Sequence, residues 1–217
     1  MTVSSTLRIR RAVEADAKDM SDTYFDAFDD TVICMRCFPL EGPTTKPWFE
    51  KFLLEGMRGE AAKVWVVVDT ALPGPEGRES EGKVVAFAKW VGPRSEGVPK
   101  EDEGGDEPCP PGGDMDLARE FFKAMHEAHV DIMGGERHWF LSLIGTRKEA
   151  QGRGAAGMLI REGLRHADEA GLRCFLDATQ KGKPIYKRFG FREVRCMTFA
   201  DESVRQDCMV REPQGNR

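Results

Sequence analysis

The sequence contains no apolar run long enough to span a bilayer, and its first residues, MTVSSTLRIRRAVEAD, lack the apolar core of a secretion signal. An excess of positive charge is also absent. The 32 basic and 37 acidic residues give a net charge of −5, which disfavours nucleic acid and anionic membranes as partners. These absences predict a protein of the cytoplasm that binds neither nucleic acid nor membrane.

Metal-ligand spacing is missing as well. The six cysteines are scattered, and the close pair Cys34 and Cys37 has no second pair or suitably spaced histidines beside it. His126 and His129 lie three residues apart on a predicted helix, but a third ligand is lacking, so a solvated or packed pair is favoured. We therefore expect reduced thiols and no metal site.

The chain has 217 residues, of which 40% are hydrophobic, and this size suits a single compact domain over residues 1–217. Hydrophobic periodicity predicts the elements of the N-terminal part. They are a strand at 7–13, a helix with Ala17, Met20, Tyr24 and Phe28 on one face, an irregular apolar loop at 31–43, a helix from Thr45 that carries Trp48, Phe52 and Met57, and antiparallel strands at 63–70 and 83–91.

Residues 92–116 differ in composition from the rest of the chain. This Pro- and Gly-rich segment carries eight acidic residues against Arg94 and Lys100, and too few apolar residues to order itself. We expect a solvated insertion, with a lid over the substrate as the alternative.

A helix with Leu117, Phe121, Met125, Ala128 and Ile132 on one face follows, and then a β-α-β pattern begins at His138. HWFLSLIGT predicts a strand, AQGRGAAGMLIREGLRHADEAG a turn and a helix closed by Gly171, and RCFLDAT a second strand. KPIYKRFGF predicts a short helix that leads to the last strands.

The segment GRGAAG fits the dinucleotide fingerprint G-x-G-x-x-G, and Asp177 lies near the distance expected of a ribose-binding carboxylate. However, the charged residues 147–151 separate the strand from the first glycine. In addition, too little chain follows Asp177 to complete a doubly wound sheet. A Walker loop fails because Ala155 and Ala156 stand where Lys-Ser/Thr is required.

The glycine loop is nevertheless suited to an anion. Gly152 and Gly154 tolerate conformations that let consecutive N–H groups point at one guest, and the positive end of the helix dipole adds to them. Arg153 contributes charge beside the loop. A diphosphate is the guest that this arrangement predicts.

These residues resemble the GNAT acetyltransferase superfamily. Gln151-Gly-Arg-Gly-Ala-Ala156 resembles its Q/R-x-x-G-x-G/A signature, LSLIGTRKEA its fourth-strand segment, and IYKRFGF its Leu-Tyr-x-x-x-Gly-Phe segment. The resemblance is specific from about 138 to 195, and the order of the preceding elements agrees with it. Lys148 stands where the family often has Pro, and Thr179 where many members carry an Asn that contacts the cofactor.

The resemblance implies an α/β (α+β) fold with a central mixed, mostly antiparallel, twisted sheet of six to seven strands flanked by helices. It also implies acetyl-CoA as the acetyl donor and coenzyme A as the product. Tyr186 would donate a proton to the departing sulfur. The residues implied to bind the cofactor are Ile144, Gly145, Thr146, Gln151, Gly152, Arg153, Gly154, Ala155, Ala156 and Thr179.

The acceptor side is less defined. His138, Glu136 and Ser142 are alternative general bases, acting directly or through water. An apolar patch predicts a small, partly hydrophobic amine as the acceptor, although the same residues would also serve as a cover for the sheet. The patch comprises Phe28, Ile33, Cys34, Met35, Phe38 and Trp48.

Three other functions stay open at this point. A protein or peptide N-acetyltransferase and a noncatalytic acyl-CoA sensor would share every cofactor motif. A nicotinamide dehydrogenase is the third alternative. For the oligomeric state of this chain, we expect a monomer or a homodimer.

Overall fold

The computed structural model describes residues 6–94, 107–200 and 202–215. The strands within these ranges are β1 (Leu7–Arg11), β2 (Ala62–Asp69), β3 (Lys83–Val91), β4 (Trp139–Thr146), β5 (Cys174–Thr179), β6 (Arg192–Phe199) and β7 (Val204–Arg211). The α-helices are α1 (Ala17–Phe28), α2 (Val32–Cys37), α3 (Thr45–Arg58), α4 (Met115–Met133), α5 (Ala155–Ala170) and α6 (Lys183–Arg188).

The strands form one seven-stranded sheet in the order β1-β2-β3-β4-β5-β7-β6. β4 and β5 pair in parallel, and the other neighbouring strands pair antiparallel. This mixed, mostly antiparallel sheet with helices on both faces confirms the predicted fold class. It also excludes the doubly wound parallel sheet that a nicotinamide dehydrogenase would need.

Two hydrophobic layers hold the helices against the sheet. On one face, Leu159, Ile160 and Leu164 of α5 pack on Trp90 and Leu141 of the central strands. On the other face, α1, α2 and α3 cover the valine-rich strands β2 and β3. Successive side chains of β3 and β4 therefore point alternately into the two hydrophobic layers, and the central strands are buried between these layers.

The predicted loop at 31–43 is wrong in one respect, because α2 lies inside it. Thr31 begins this helix, and its hydroxyl accepts a hydrogen bond from the Cys34 amide at 3.3 Å. In α3, the buried face carries Phe49 and Leu53, whereas Phe52 of the predicted face is 42% exposed. The aromatic ring of Phe52 instead stacks on Trp48, outside the core.

The end of the predicted insertion is packed. Pro108, Cys109 and Pro110 are buried, and Gly113 lies so close to the Cys37 carbonyl that a Cβ would meet it at 2.2 Å. The expectation of a solvated segment is wrong for these residues, because Cys109 joins the core cluster under α2. The lid that was the alternative prediction for residues 92–116 falls largely on residues 95–106, which lie outside the described residues.

Within the described ranges, none of the helices combines the length and apolar character needed to cross a bilayer. In the same part of the chain, no three metal-ligating side chains come together.

Candidate active site

The two strands at the centre of the sheet separate half-way along their length. β4 and β5 pair only from Trp139 to Leu141 and from Cys174 to Leu176. Beyond these residues β4 stays bound to β3 as far as Thr146, and β5 stays bound to β7 as far as Thr179. The facing edges of residues 142–146 and 177–179 are therefore not hydrogen bonded to each other, and a guest can lie between them.

A β-bulge marks the point where the strands part. Leu141 pairs with Trp90 and Leu143 with Lys89, so that Ser142 is an extra residue in β4 with no partner of its own on β3. A bulge bends its strand and increases the local twist. The bend at Ser142 accounts for the divergence of β4 from β5 immediately after Leu141.

The glycine loop leads from the open end of β4 into α5. Gly152 and Gly154 have φ values of +76° and +93°, which only glycine adopts readily, and a Cβ on either would meet nothing within 4 Å. Within the described residues, the N–H groups of both glycines lack a hydrogen-bond acceptor. The first N–H groups of α5, from Ala155 onward, are likewise free of intrahelical bonds.

Three predicted cofactor residues also make contacts within the protein. The Arg153 guanidinium pairs with the buried Asp69 carboxylate at 2.6 Å, so its charge is already compensated. The Gln151 amide donates to the Thr146 carbonyl at 3.2 Å and joins the loop to the end of β4. The Thr179 hydroxyl accepts from the Gly182 amide at 3.1 Å and thereby fixes the turn before α6.

Tyr186 lies on α6, the short helix that the segment KPIYKRFGF predicted. Its side chain is buried, and its ring meets Phe191 edge-on at 6.1 Å between centroids. Burial raises the pKa of the Tyr186 phenol well above its usual value. The phenol is therefore protonated throughout the neutral range.

One open cleft of about 1880 Å³ connects these features with the α1–α3 side of the molecule. The residues predicted to bind cofactor that line it are Ile144, Gly145, Thr146, Gln151, Gly152, Gly154, Ala155, Ala156 and Thr179. Tyr186 lines the same cleft. Arg153, which pairs with Asp69, does not line it.

The opposite wall of the cleft is aromatic. Its members, which we call the aromatic wall, are Tyr24, Phe28, Phe38, Trp48, Phe49 and Phe52. Of the apolar patch predicted from sequence, Cys34 and Met35 do not line the cleft. The reason is α2, which turns Cys34 into the core and leaves Met35 55% exposed.

The three predicted general bases occupy different environments. Ser142 lines the cleft, whereas Glu136 and His138 do not. His138 is instead buried beneath the cleft. Its Nε2 lies 2.7 Å from Nε2 of His129, and its Nδ1 lies 2.7 Å from the Glu136 carbonyl oxygen.

Sequence reasoning named two titratable side chains of the cleft without assigning them to the acetyl-transfer site. His129 lines it and stacks on Phe175, with 4.1 Å between ring centroids. Asp177 lines it directly after Leu176, the last residue of β5 that pairs with β4. A charged residue inside the otherwise apolar strand RCFLDAT was the available signal for Asp177.

Comparison with known proteins shows a match to one family. Residues 120–210, from α4 to β7, match the acetyltransferase (GNAT) domain family. This match and the fold indicate an acyltransferase, and GNAT domains generally use acetyl-CoA.

Solved structures of GNAT acetyltransferases share the fold over nearly the whole chain. A variant of agmatine N-acetyltransferase has a TM-score of 0.68 at 13% identity, covering 96% of this chain and 100% of its own. The polyamine N-acetyltransferase of Drosophila melanogaster has a TM-score of 0.66 at 15% identity, covering 95% and 99%. The structure of histone acetyltransferase HPA2 and related acetyltransferase from Corynebacterium glutamicum has a TM-score of 0.61 at 19% identity, covering 97% of this chain and 98% of its own.

Proposed function

We propose that this chain transfers the acetyl group of acetyl-CoA to the amine of a small molecule by direct attack on the thioester. The observation that carries the proposal is the cleft itself. It joins the parted edges of β4 and β5, the free N–H groups at the start of α5, Tyr186 and the aromatic wall.

The glycine loop fits the diphosphate of acetyl-CoA. Free N–H groups of Gly152, Gly154 and the first turn of α5 face an open space, and the helix dipole favours an anion there. The unpaired edge of Ile144, Gly145 and Thr146 supplies main-chain groups for the amide-bearing pantetheine arm. Bound in this way, acetyl-CoA supplies an activated thioester.

The chain's own residues then have separate roles. A freed amide of β4 beyond Ser142 donates to the thioester carbonyl oxygen, where negative charge develops during attack. Tyr186 holds a proton on its phenol oxygen and donates it to the leaving sulfur, because burial keeps that phenol protonated. The proton that the attacking amine releases passes to water in the open cleft, which Ser142 lines.

The acceptor amine approaches from the side of the aromatic wall. Rings such as Phe28 and Trp48 favour a small substrate with apolar carbon, and the Asp177 carboxylate, which lines the same cleft, favours a cationic amine. Enzymes of similar fold that are named for agmatine and polyamines support an amine as the acceptor class.

The test is acetyl-CoA turnover against a panel of small amines, alcohols and peptides, measured as release of free thiol. We expect turnover with small amines and loss of roughly 10²-fold in kcat in Tyr186→Phe. Dissociation constants for acetyl-CoA should be unchanged in that variant, because the ring and its contact with Phe191 remain.

Two outcomes would replace the proposal. Turnover confined to peptides would make the chain a protein or peptide N-acetyltransferase. Tight binding of acetyl-CoA without thiol release from any acceptor would make it an acyl-CoA sensor.

A further inference from the structure

Two arginines in the cleft have no role in the chemistry described so far. Arg161 on α5 and Arg188 at the end of α6 both line the cleft. In the described ranges, neither has a carboxylate oxygen within 4.0 Å. Other cations of the cleft are neutralised, and the pairs include Lys51–Glu55, Arg58–Glu14, Lys148–Asp29, Lys181–Asp30 and Arg205–Asp207.

The Arg161 guanidinium folds back over the first turn of α5. A Cβ on Gly157 would lie 3.5 Å from its Nη1, 3.6 Å from its Nη2, and 3.7 Å from Cζ of Phe189. The guanidinium carbon also lies 5.8 Å from the centre of the Phe189 ring. The guanidinium thus rests within contact distance of Gly157 and of the Phe189 ring that follows α6.

Arg188 is the second arginine of this part of the cleft. It is the last residue of α6, it immediately precedes Phe189 in the chain, and it lines the same cleft as Arg161. Two uncompensated guanidinium groups in a cleft form a site for a strongly charged anion. A phosphomonoester suits it, because such a group carries a charge of about −1.5 to −2 and accepts forked hydrogen bonds from arginine.

On the basis of the proposed function, we infer that Arg161 and Arg188 bind the 3′-phosphate on the adenosine of acetyl-CoA. The diphosphate is served by the free N–H groups before and at Ala155. The Arg161 guanidinium lies beside Gly157, roughly 3 Å further along the helix axis, and on the side of Phe189, which follows α6. The adenosine follows the diphosphate in the cofactor, so its phosphate is the next anionic group along the cleft.

The inference predicts selection between two ligands that differ only in this phosphate. Binding of CoA and 3′-dephospho-CoA would be measured by calorimetry for the wild type, Arg161→Gln, Arg188→Gln and the double variant. The wild type should prefer CoA by about 10-fold or more. The double variant should lose that preference while its affinity for 3′-dephospho-CoA stays the same.

Arg165→Gln is the matched control on the same helix. Arg165 pairs with Glu162 and Glu169 on the exposed face of α5 and does not line the cleft. Its variant should keep the full preference for CoA. Raising the salt concentration should reduce the wild-type preference and leave the binding of 3′-dephospho-CoA less affected.

Other outcomes would overturn the inference. If the arginine variants bound CoA and 3′-dephospho-CoA more weakly by the same factor, these side chains would contact the diphosphate instead. If both affinities stayed at the wild-type values, the arginines would take no part in binding. If the wild type bound neither ligand, the proposed function itself would fail, and that result differs from both of the others.

Discussion

At the scale of single residues, burial decides the protonation state of two neighbouring histidines. Burial, with the nearby His138 and His126, lowers the pKa of His129 to about 3, and burial also lowers the pKa of His138. If His138 donates from Nδ1 to the Glu136 carbonyl, its Nε2 must accept from His129. A proton added to Nε2 of His138 would place two donors 2.7 Å apart, so this contact keeps His138 neutral, and burial keeps His129 neutral.

This pair makes folding stability depend on pH. A histidine that binds protons only in the unfolded state contributes stability above about pH 6.5, and this contribution falls as the pH drops towards its folded pKa. We expect the wild type to lose roughly 2 kcal/mol between pH 7 and 5 from His129. His129→Gln keeps a donor to His138 and should show a shallower dependence in urea unfolding. An equal dependence in both proteins would contradict this assignment.

Most candidate site residues could be found from the sequence, but the residues that they contact within the protein could not. The glycine signature and the segment around Tyr186 are local, so nine of the ten predicted cofactor residues and the tyrosine lie along the cleft. The pairing of Arg153 with Asp69 joins residues far apart in the sequence, and no local pattern encodes it. The role of Arg153 toward the cofactor therefore stays a prediction.

At the scale of elements, α5 carries glycines with two different purposes. At Gly163, helix and sheet come so close that a Cβ would lie 2.0 Å from Cε2 of the buried Trp90. At Gly154 and Gly171, which flank the helix, positive φ angles of +93° and +64° require glycine although space is available.

Substitution of Gly163 should therefore destabilise the fold. Alanine would gain about 1 kcal/mol of helix propensity, but the overlap with Trp90 should cost more, for a net loss of roughly 1–3 kcal/mol in unfolding free energy. Gly157→Ala is the matched control, because its Cβ would make ordinary contacts of 3.5–3.7 Å. A stability gain in both variants would show that α5 can move away from the sheet.

Substitutions of the two flanking glycines distinguish the effect of backbone strain on stability from the effect of the loop on binding. Gly154→Ala and Gly171→Ala should each cost about 1–2 kcal/mol of stability, because both force alanine into a left-handed conformation. Only Gly154→Ala should also weaken acetyl-CoA binding, by roughly 10-fold, since Gly154 positions N–H groups of the loop. Equal affinity of the two variants in calorimetry would remove the loop from the binding site.

At the scale of the whole molecule, the proposed cofactor site crosses the boundary between packed layers. It involves the unpaired edges of β4 and β5 together with the starts of α5 and α6. A ligand there would contact both central strands and both helices at once. Its binding energy should therefore stabilise the fold as a whole.

Thermal unfolding provides the corresponding measurement. Acetyl-CoA at 100 times its dissociation constant should add about 2.7 kcal/mol, which corresponds to an increase in Tm of roughly 5–10 °C for a chain of this size. NADH at the same concentration should leave Tm unchanged. A shift with NADH and none with acetyl-CoA would contradict the proposed site.

The overall architecture was largely predictable, because period-two strands and amphipathic helices such as α1 and α4 are local patterns. The sequence did not reveal α2, since six apolar and polar residues are too few to show a helical period. The burial of Cys109 was hidden for another reason: its surroundings come from α2, distant in the sequence.

The extra residue at Ser142 has an evolutionary consequence for β4. Leu141 and Ile144 both pack on the α5 side although three positions separate them, whereas Leu143 packs on the α1 side. Loss of a single codon at this position would return the strand to plain alternation. Leu143 would still face α1 and Ile144 would still face α5, so the deletion would remove only the bend by which β4 leaves β5. Lineages that use the open edge of β4 should therefore keep the length of this strand while they exchange its residues.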